Sequence, residues 1–488
     1  MKSMRVAVVG GGIGGLTAAG LLAREGHAVT LFEGGPHLGG KAQSVQLGGL
    51  RLDTGPTLLT LPDVVRGLFE RLGAADLLPP FLELEQQCTY RYPDGCGFVA
   101  HKDIARTAES AAQLRPSEGK GVLSFYAEAE HIWRAAGEPY LEAPFEGMAG
   151  FMSRVMRRGM VAVARGMKLS TLDELARKHF KTAHLWQFAG RFATYAGASP
   201  YAASAAYALV PHIERAYGVH HVKGGIGALV DALGAAVARA GVTVHLNTRV
   251  RYTRVAEGYR VGVPGDGALD ELYDSVVVNA DPLDRLGREG EPLSLSGSVL
   301  LLEVEGRPAL PHHTVLFSSD YRREFDELFA GQLAVDPTVY FCNPSATDDS
   351  VAPPDKTGLF VMVNAPSLPR EPAAAEQARA AWELHAERVK AQMFDKLLLH
   401  YPELRGRMRV VAQRTPVDLA ALGAPGGSIY GFLPHGRFGP FRRPRIRGGT
   451  PGLFFAGGGT HPGGGVPLVM LSGQFAASMA SAHLRSGA

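Results

Sequence analysis

Hydrophobic and polar positions change their period several times along the chain. Arg5-Val6-Ala7-Val8-Val9 is a short β-branched run that stops at glycine, the pattern of a strand buried on both faces of a parallel sheet. Residues 13–24 predict a helix, and Ala28-Val29-Thr30-Leu31-Phe32 a second buried strand. Farther on, Leu229, Leu233 and Val237 fall at i, i+4 and i+8 of a helix from Ile226 to Ala240, with Gly241 as its stop. The strand Val242–Leu246 follows, and Val276–Asn279 reads as another buried strand, after which Asp281-Pro282 supplies the N-cap and first position of a new helix. A long helix is expected over Ala373–His400, and the strand Leu453–Ala456 leads through glycines into a helix over Leu468–Ser481.

Strand, helix and parallel strand in this order predict an α/β fold with a Rossmann-type dinucleotide-binding unit. At 488 residues the chain has room for about three units of ordinary size, or two large ones. The expected organisation is a binding unit assembled from residues 1–60, 212–282 and 444–488, and a second domain from 61–211 and 283–443 with a mixed sheet and a helical layer. Apolar types at 46% exclude disorder, and a net charge of +3 gives no reason to expect nucleic acid as a partner. Cys88, Cys96 and Cys342 form no paired framework and no metal-ligand spacing, so neither a disulfide scaffold nor a metal is expected. His220-His221 and His312-His313 are adjacent pairs whose side chains would point apart on a strand. Two long uncharged stretches, Val6–Ala23 and Gly448–Leu484, are broken by glycines and prolines, so neither is expected to span a membrane.

Glycine is the compositional outlier, with 61 residues. Gly10, Gly12 and Gly15 have the GxGxxG spacing between the first strand and the first helix, with Gly14 inside the same turn. Such glycines permit a tight turn and close approach of a pyrophosphate, and the helix N-terminus offers it free N–H groups and a positive dipole end. Glu33 ends the second strand 18 residues after Gly15, where a carboxylate accepts ribose hydroxyls and repels a 2′-phosphate. A second glycine loop, Gly457-Gly458-Gly459-Thr460-His461-Pro462-Gly463-Gly464-Gly465-Val466-Pro467, also enters a helix, so two loops from opposite ends of the chain can bracket one long cofactor.

Val8 to Gly15, Glu33, Gly39-Gly40-Lys41, Asp53-Thr54-Gly55-Pro56-Thr57, Lys223 to Leu229, Val277 to Pro282 and Gly459 to Pro467 resemble segments of the bacterial and fungal phytoene desaturase family, FAD enzymes of carotenoid synthesis. The likeness extends along most of the chain. Lys41 stands where the wider flavoprotein group more often has arginine, and Leu468-Val469-Met470-Leu471-Ser472-Gly473 is more similar to the hydroxycarotenoid 3,4-desaturase branch. The resemblance implies FAD as cofactor, a carotenoid dissolved in lipid as substrate, and oxygen or a membrane quinone as electron acceptor. It also implies cofactor contacts from Lys41 (at a phosphate, as a point charge), Gly55, Pro56, Thr57, Val250, Gly457, Gly458, Val466 and Pro467. In such a desaturation a C–H bond beside the polyene loses hydride and the neighbouring carbon a proton, which needs no strong base. Carotenoid isomerase, oxygenase and pigment-binding readings stay open on the same scaffold. His461, the only titratable side chain of the second loop, is the candidate to touch the reaction.

One stretch bears on location. Between Met148 and Lys168, methionines and valines recur every three or four residues, opposite Arg154, Arg157, Arg158, Arg165 and Lys168. With a lipid-dissolved substrate, this pattern fits a helix lying on an anionic membrane surface, peripheral on its inner, cytoplasmic face.

Overall fold

The computed structural model describes residues 3–159 and 170–486. A five-stranded parallel sheet has the order Leu453–Phe455, Ser275–Val278, Arg5–Val9, Ala28–Phe32, Thr243–His245. Its strands therefore come from three separate parts of the sequence. Val6, Ala7, Val8, Val276, Val277 and Val278 are wholly buried, as a parallel sheet covered on both faces requires.

One face carries the helices Ile13–Arg24, Pro62–Leu72, Ile226–Arg239 and Val466–Ser486, which share a core with the sheet. The other face is covered by a three-stranded antiparallel sheet of Arg251–Val255, Gly258–Val263 and Asp266–Tyr273, whose Tyr259, Val261 and Tyr273 pack on Ala7, Val276 and Phe455. Val65, Leu68, Phe69 and Leu72 belong to the helix-side core, so that core draws on chain beyond residue 60.

A second, seven-stranded sheet has the order Met408–Arg414, Ser296–Glu305, Lys356–Ala365, Val339–Cys342, His313–Leu316, Gln86–Arg91, Gly97–His101. It is mixed because His313–Leu316 and Gln86–Arg91 run parallel. Pro372–His400 lies against it through Trp382, Val389, Met393 and Leu397. Tyr90, Phe98, Phe188 and Phe317, with neighbouring ring centroids 4.8–6.0 Å apart, form an aromatic centre between the sheet edge and the helices Pro116–Ile132, Leu172–His179 and Ala183–Gly190.

Several expected elements differ in detail. Asp281-Pro282 starts no helix. The Asp281 carboxylate accepts from the Leu283 N–H at 3.0 Å, and only a single 3₁₀ turn, Asp284–Leu286, follows before Gly287 at φ +66° ends it. The C-terminal helix begins two residues early, at Val466, because proline is at home in a first turn. The basic helix runs over Met148–Arg157 and ends before Gly159 at φ +67°, and the rest of the expected stretch, 160–168, lies outside the described residues. Its basic face is not free: Arg154 is buried with Nε donating to Pro139 O at 2.7 Å, and Arg157 and Arg158 pair with Glu142 and Glu138 from the preceding turn. Helical periodicity alone does not show acids supplied by another segment.

The helices Ile13–Arg24 and Val466–Ser486 cross at small residues. A Cβ on Gly473 would lie 2.4 Å from Gly14 O and 2.8 Å from Thr17 Cβ. Gly473→Ala should therefore destabilise the protein by about 1–3 kcal/mol, the usual cost of overpacking, read as a lower urea midpoint at unchanged slope. An unchanged midpoint would mean that the helices separate freely here.

Candidate functional site

At the end of the first strand Gly10 adopts φ +102°, a backbone that side chains other than glycine rarely take, and Gly12 starts the helix in extended conformation. No side chain caps this helix and no acid lies in its first turn, so its N-terminal dipole is open to an anion. Glu33 is fixed beside it: its two oxygens accept from Gly11 and Gly35 N–H, each at 2.7 Å. Gly10, Gly12, Glu33 and Val250 all line one continuous cavity.

Asn279, at the end of the strand Ser275–Val278, stands between the two glycine loops. Its Nδ2 donates to Gly10 O at 3.3 Å. A Cβ on Gly12 would come within 2.7 Å of that nitrogen, and one on Gly14 or Gly457 within 2.7 Å of Asn279 Oδ1. On Gly15 it would lie 2.0 Å from Gly10 O. Gly14 and Gly15 thus serve close packing and do not form the cavity wall, whereas Gly457, Gly458, Val466 and Pro467 do. Asn279 and Arg443 are the residues that sequence reasoning missed. Arg443 donates through Nη1 to Tyr430 O at 3.1 Å and Gly458 O at 2.8 Å, holding the second loop against the irregular segment around Tyr430. The position of Asn279 at the end of a buried parallel strand was a usable signal, while nothing local marks Arg443.

The cradle fits the group that the glycine spacing suggests. Side chains are absent where two loops approach, one helix N-terminus is uncapped, a carboxylate sits at the ribose position, and no acid lies in the first turn of Val466–Ser486. The cavity has a volume of about 1870 Å³. That exceeds the roughly 300–1,000 Å³ of an ordinary small-molecule site, leaving room beside a dinucleotide for a second long ligand. Beyond the glycine loops its wall turns apolar, with Leu61, Trp133, Phe151, Ile213, Val315 and Phe360.

Lys41 lines the cavity but does not lie free for a phosphate. Its Nζ donates to the carbonyls of Ile429 at 2.8 Å and Ser428 at 3.2 Å, because the Gly39-Gly40 turn carries it across to that segment. Burial lowers its pKa to about 8 against the opposing pull of Asp281. Gly55 must be glycine, since a Cβ there would meet Lys41 O at 2.0 Å. Pro56 and Thr57 line the cavity, and Thr57 Oγ1 lies 2.6 Å from Tyr340 OH, which in turn is 2.8 Å from His313 Nδ1. Asp53 accepts from Ile226 and Gly227 N–H at 2.7 and 2.9 Å, capping a helix from afar, and burial raises its pKa to about 6.

His312 and His313 do not point apart. His312 precedes the strand His313–Leu316, so strand alternation does not separate the pair, and the ring centroids are 4.5 Å apart. With Cys342 they form a buried group whose possible ligand atoms lie within 4.8 Å of one another.

His461 is not in the cavity wall. It is 1% exposed, packed against Tyr140, Phe145 and Phe475, with Nε2 3.3 Å from Ala143 O. Burial lowers its pKa to about 3, so the ring is neutral at ordinary pH and carries no proton to donate as an acid. Its place is that of a latch between the second loop and the segment 140–145.

His461→Ala should cost about 2–4 kcal/mol by analogy with other large-to-small core changes, seen as a lower unfolding midpoint. The shape of the pH profile of turnover should stay the same. Loss of one limb of that profile with stability intact would return His461 to the reaction.

Residues 13–479 match the family of flavin-containing amine oxidoreductases. The chain is 32% identical over 509 residues to the hydroxyneurosporene desaturase of Rubrivivax gelatinosus, covering 100% of this chain and 95% of that one. It is 28% identical to a 4,4'-diapophytoene desaturase of Staphylococcus haemolyticus, covering 97% and 98%. Among solved structures, cyclohexylamine oxidase from Brevibacterium oxydans superposes with a TM-score of 0.64 at 15% identity, covering 99% of this chain and 100% of that chain, a likeness of fold. With FAD as the cofactor that its glycine cradle fits, the chain belongs to the flavin-containing amine oxidoreductases and is similar along its whole length to their carotenoid desaturases.

Proposed function

We propose that this protein is an FAD-dependent carotenoid desaturase. The observation that carries the reading is one continuous cavity lined both by the two glycine loops and by apolar side chains such as Leu61, Trp133, Phe151 and Ile213. FAD, when bound, supplies the two-electron acceptor, and the chain's own residues do the rest. Gly10, Gly12, Glu33 and Val250 hold the adenosine and pyrophosphate end. Gly457, Gly458, Val466 and Pro467 place a helix N-terminus at the electron-rich end. Gly55, Pro56 and Thr57 lie along the wall between the cofactor and the substrate arm. On this reading residues 1–60, 212–282 and 444–488, joined by the helix Pro62–Leu72, hold the cofactor, and the remaining chain holds the polyene. The apolar arm excludes water and keeps a rod-shaped molecule in register, which is most of what a reaction activated by conjugation asks of the protein.

The route of a lipid-dissolved substrate into this arm is the second part of the proposal. No helix among the described residues is long and apolar enough to cross a membrane. Ser124 and Ala127 from one helix and Met148 and Met152 from another line the cavity, and next to them Leu123, Met148 and Met156 are 48%, 44% and 57% exposed. With Arg157 and Arg158 already paired to glutamates, contact with a bilayer is made by this apolar rim more than by charge. Wild type should float with phospholipid vesicles almost independently of salt, and Met148→Glu/Met156→Glu should reduce the floated fraction at least fivefold. Equal flotation of the two proteins would remove the rim from the reading.

The reaction is tested by mass spectrometry of carotenoids from a bacterial host making acyclic, hydroxylated and monocyclic precursors, with and without the protein. The expected product is lighter by about 2 mass units for each double bond formed. Unchanged mass with altered retention would replace desaturase by isomerase, a gain of oxygen would mean an oxygenase, and no change in any host would leave a pigment-binding flavoprotein.

A further inference from the structure

Polar side chains also line the cavity, and one of them is a buried arginine. Arg191, in the turn Arg191–Ala196, lines the cavity and is 8% exposed. Its Nη2 donates to Tyr195 OH at a long 3.3 Å, and its Nη1 has no hydrogen-bond partner among the described residues. The guanidinium carbon sits 5.4, 4.7 and 5.3 Å from the ring centroids of Tyr90, Phe192 and Tyr195, so aromatic faces support the cation without satisfying its N–H groups. An arginine cannot shed its proton, and burying an under-bonded cation is costly. Tyr195 OH donates to the buried carboxyl group of Glu214, placing an acidic group one hydroxyl away. The hydroxyls of Thr57 and Tyr340 line the same cavity.

This arrangement defines its ligand. A guanidinium only donates, so the partner must present an acceptor oxygen. With the Glu214 carboxyl group one hydroxyl away, the ligand itself need carry no charge. We propose that Arg191, held by Tyr195 and Glu214, is the subsite that receives a neutral oxygen, a hydroxyl, on an otherwise apolar polyene. The inference rests on the carotenoid desaturase reading and narrows it to substrates bearing that oxygen. Of the similar proteins, one is named for a hydroxylated carotenoid and one for diapophytoene.

The test uses the flavin-loaded full-length protein and two acyclic carotenoids that differ only in a terminal hydroxyl. Sites built to bond a substrate hydroxyl discriminate strongly against the analogue lacking it, so wild type should show at least a tenfold higher kcat/KM for the alcohol. Arg191→Met should bring the ratio of the two close to one, chiefly through KM, and Arg191→Lys should restore part of it. If Arg191→Met fails to retain flavin, Tyr195→Phe is read the same way and should lower the ratio. Absence of preference in wild type overturns the subsite while leaving desaturation standing, as does an equal loss on both substrates in the flavin-loaded variants. Better use of a carboxylic acid analogue than of the alcohol also overturns it. Conversion of neither carotenoid by wild type would refute the desaturase reading itself, and the subsite with it.

Discussion

Everything at the cofactor end depends on how closely backbone can approach backbone at the C-terminal ends of the parallel strands. Asn279 fills the space between two loops, and the glycines around it are the condition for that fit. The glycine pattern is usually read as room for a phosphate. Here much of it is room for the protein itself: in the first loop Gly14 and Gly15 face packed atoms, while Gly10 and Gly12 reach the cavity. Both requirements are met together, since the packing that forbids side chains also draws the two loops toward one cofactor.

Where glycine and proline punctuate a strong hydrophobic period, the sequence carried the structure well. The first helix runs from Ile13 to Arg24 as its glycines and periodicity indicate, and the long helix Pro372–His400 starts one residue before its expected bound. Legibility failed where the deciding partner comes from another segment of the chain. Lys41 reads as a phosphate contact until the carbonyls of Ser428 and Ile429 are brought to it. Arg157 and Arg158 read as a free basic face until Glu138 and Glu142 fold beneath them. His461 sits in a glycine loop and so reads as catalytic, yet the aromatic residues that enclose it belong to segments more than 300 residues earlier and to the following helix.

The two arms of the cavity apply different physics to one task. The cofactor arm works through fixed dipoles and one carboxylate, which select by charge and hydrogen bonding. The other arm works through area and exclusion of water, and a polyene offers it nothing else to grip. That is why a single under-bonded cation such as Arg191 matters there: in a wall with few polar groups, it can fix where along its length a slippery rod comes to rest.

The order of strands in the parallel sheet has a consequence for how the protein is made. Ser275–Val278 lies between Arg5–Val9 and Leu453–Phe455, so the sheet stays one strand short until residue 455 has left the ribosome. The seven-stranded sheet needs nothing later than Arg414 and can close first. During that interval the apolar arm stands open without the second glycine loop to wall it off. A nascent chain in this state presents a greasy cleft before it can present a cofactor site, and a membrane or chaperone surface that covers the cleft would protect the protein while its synthesis is completed.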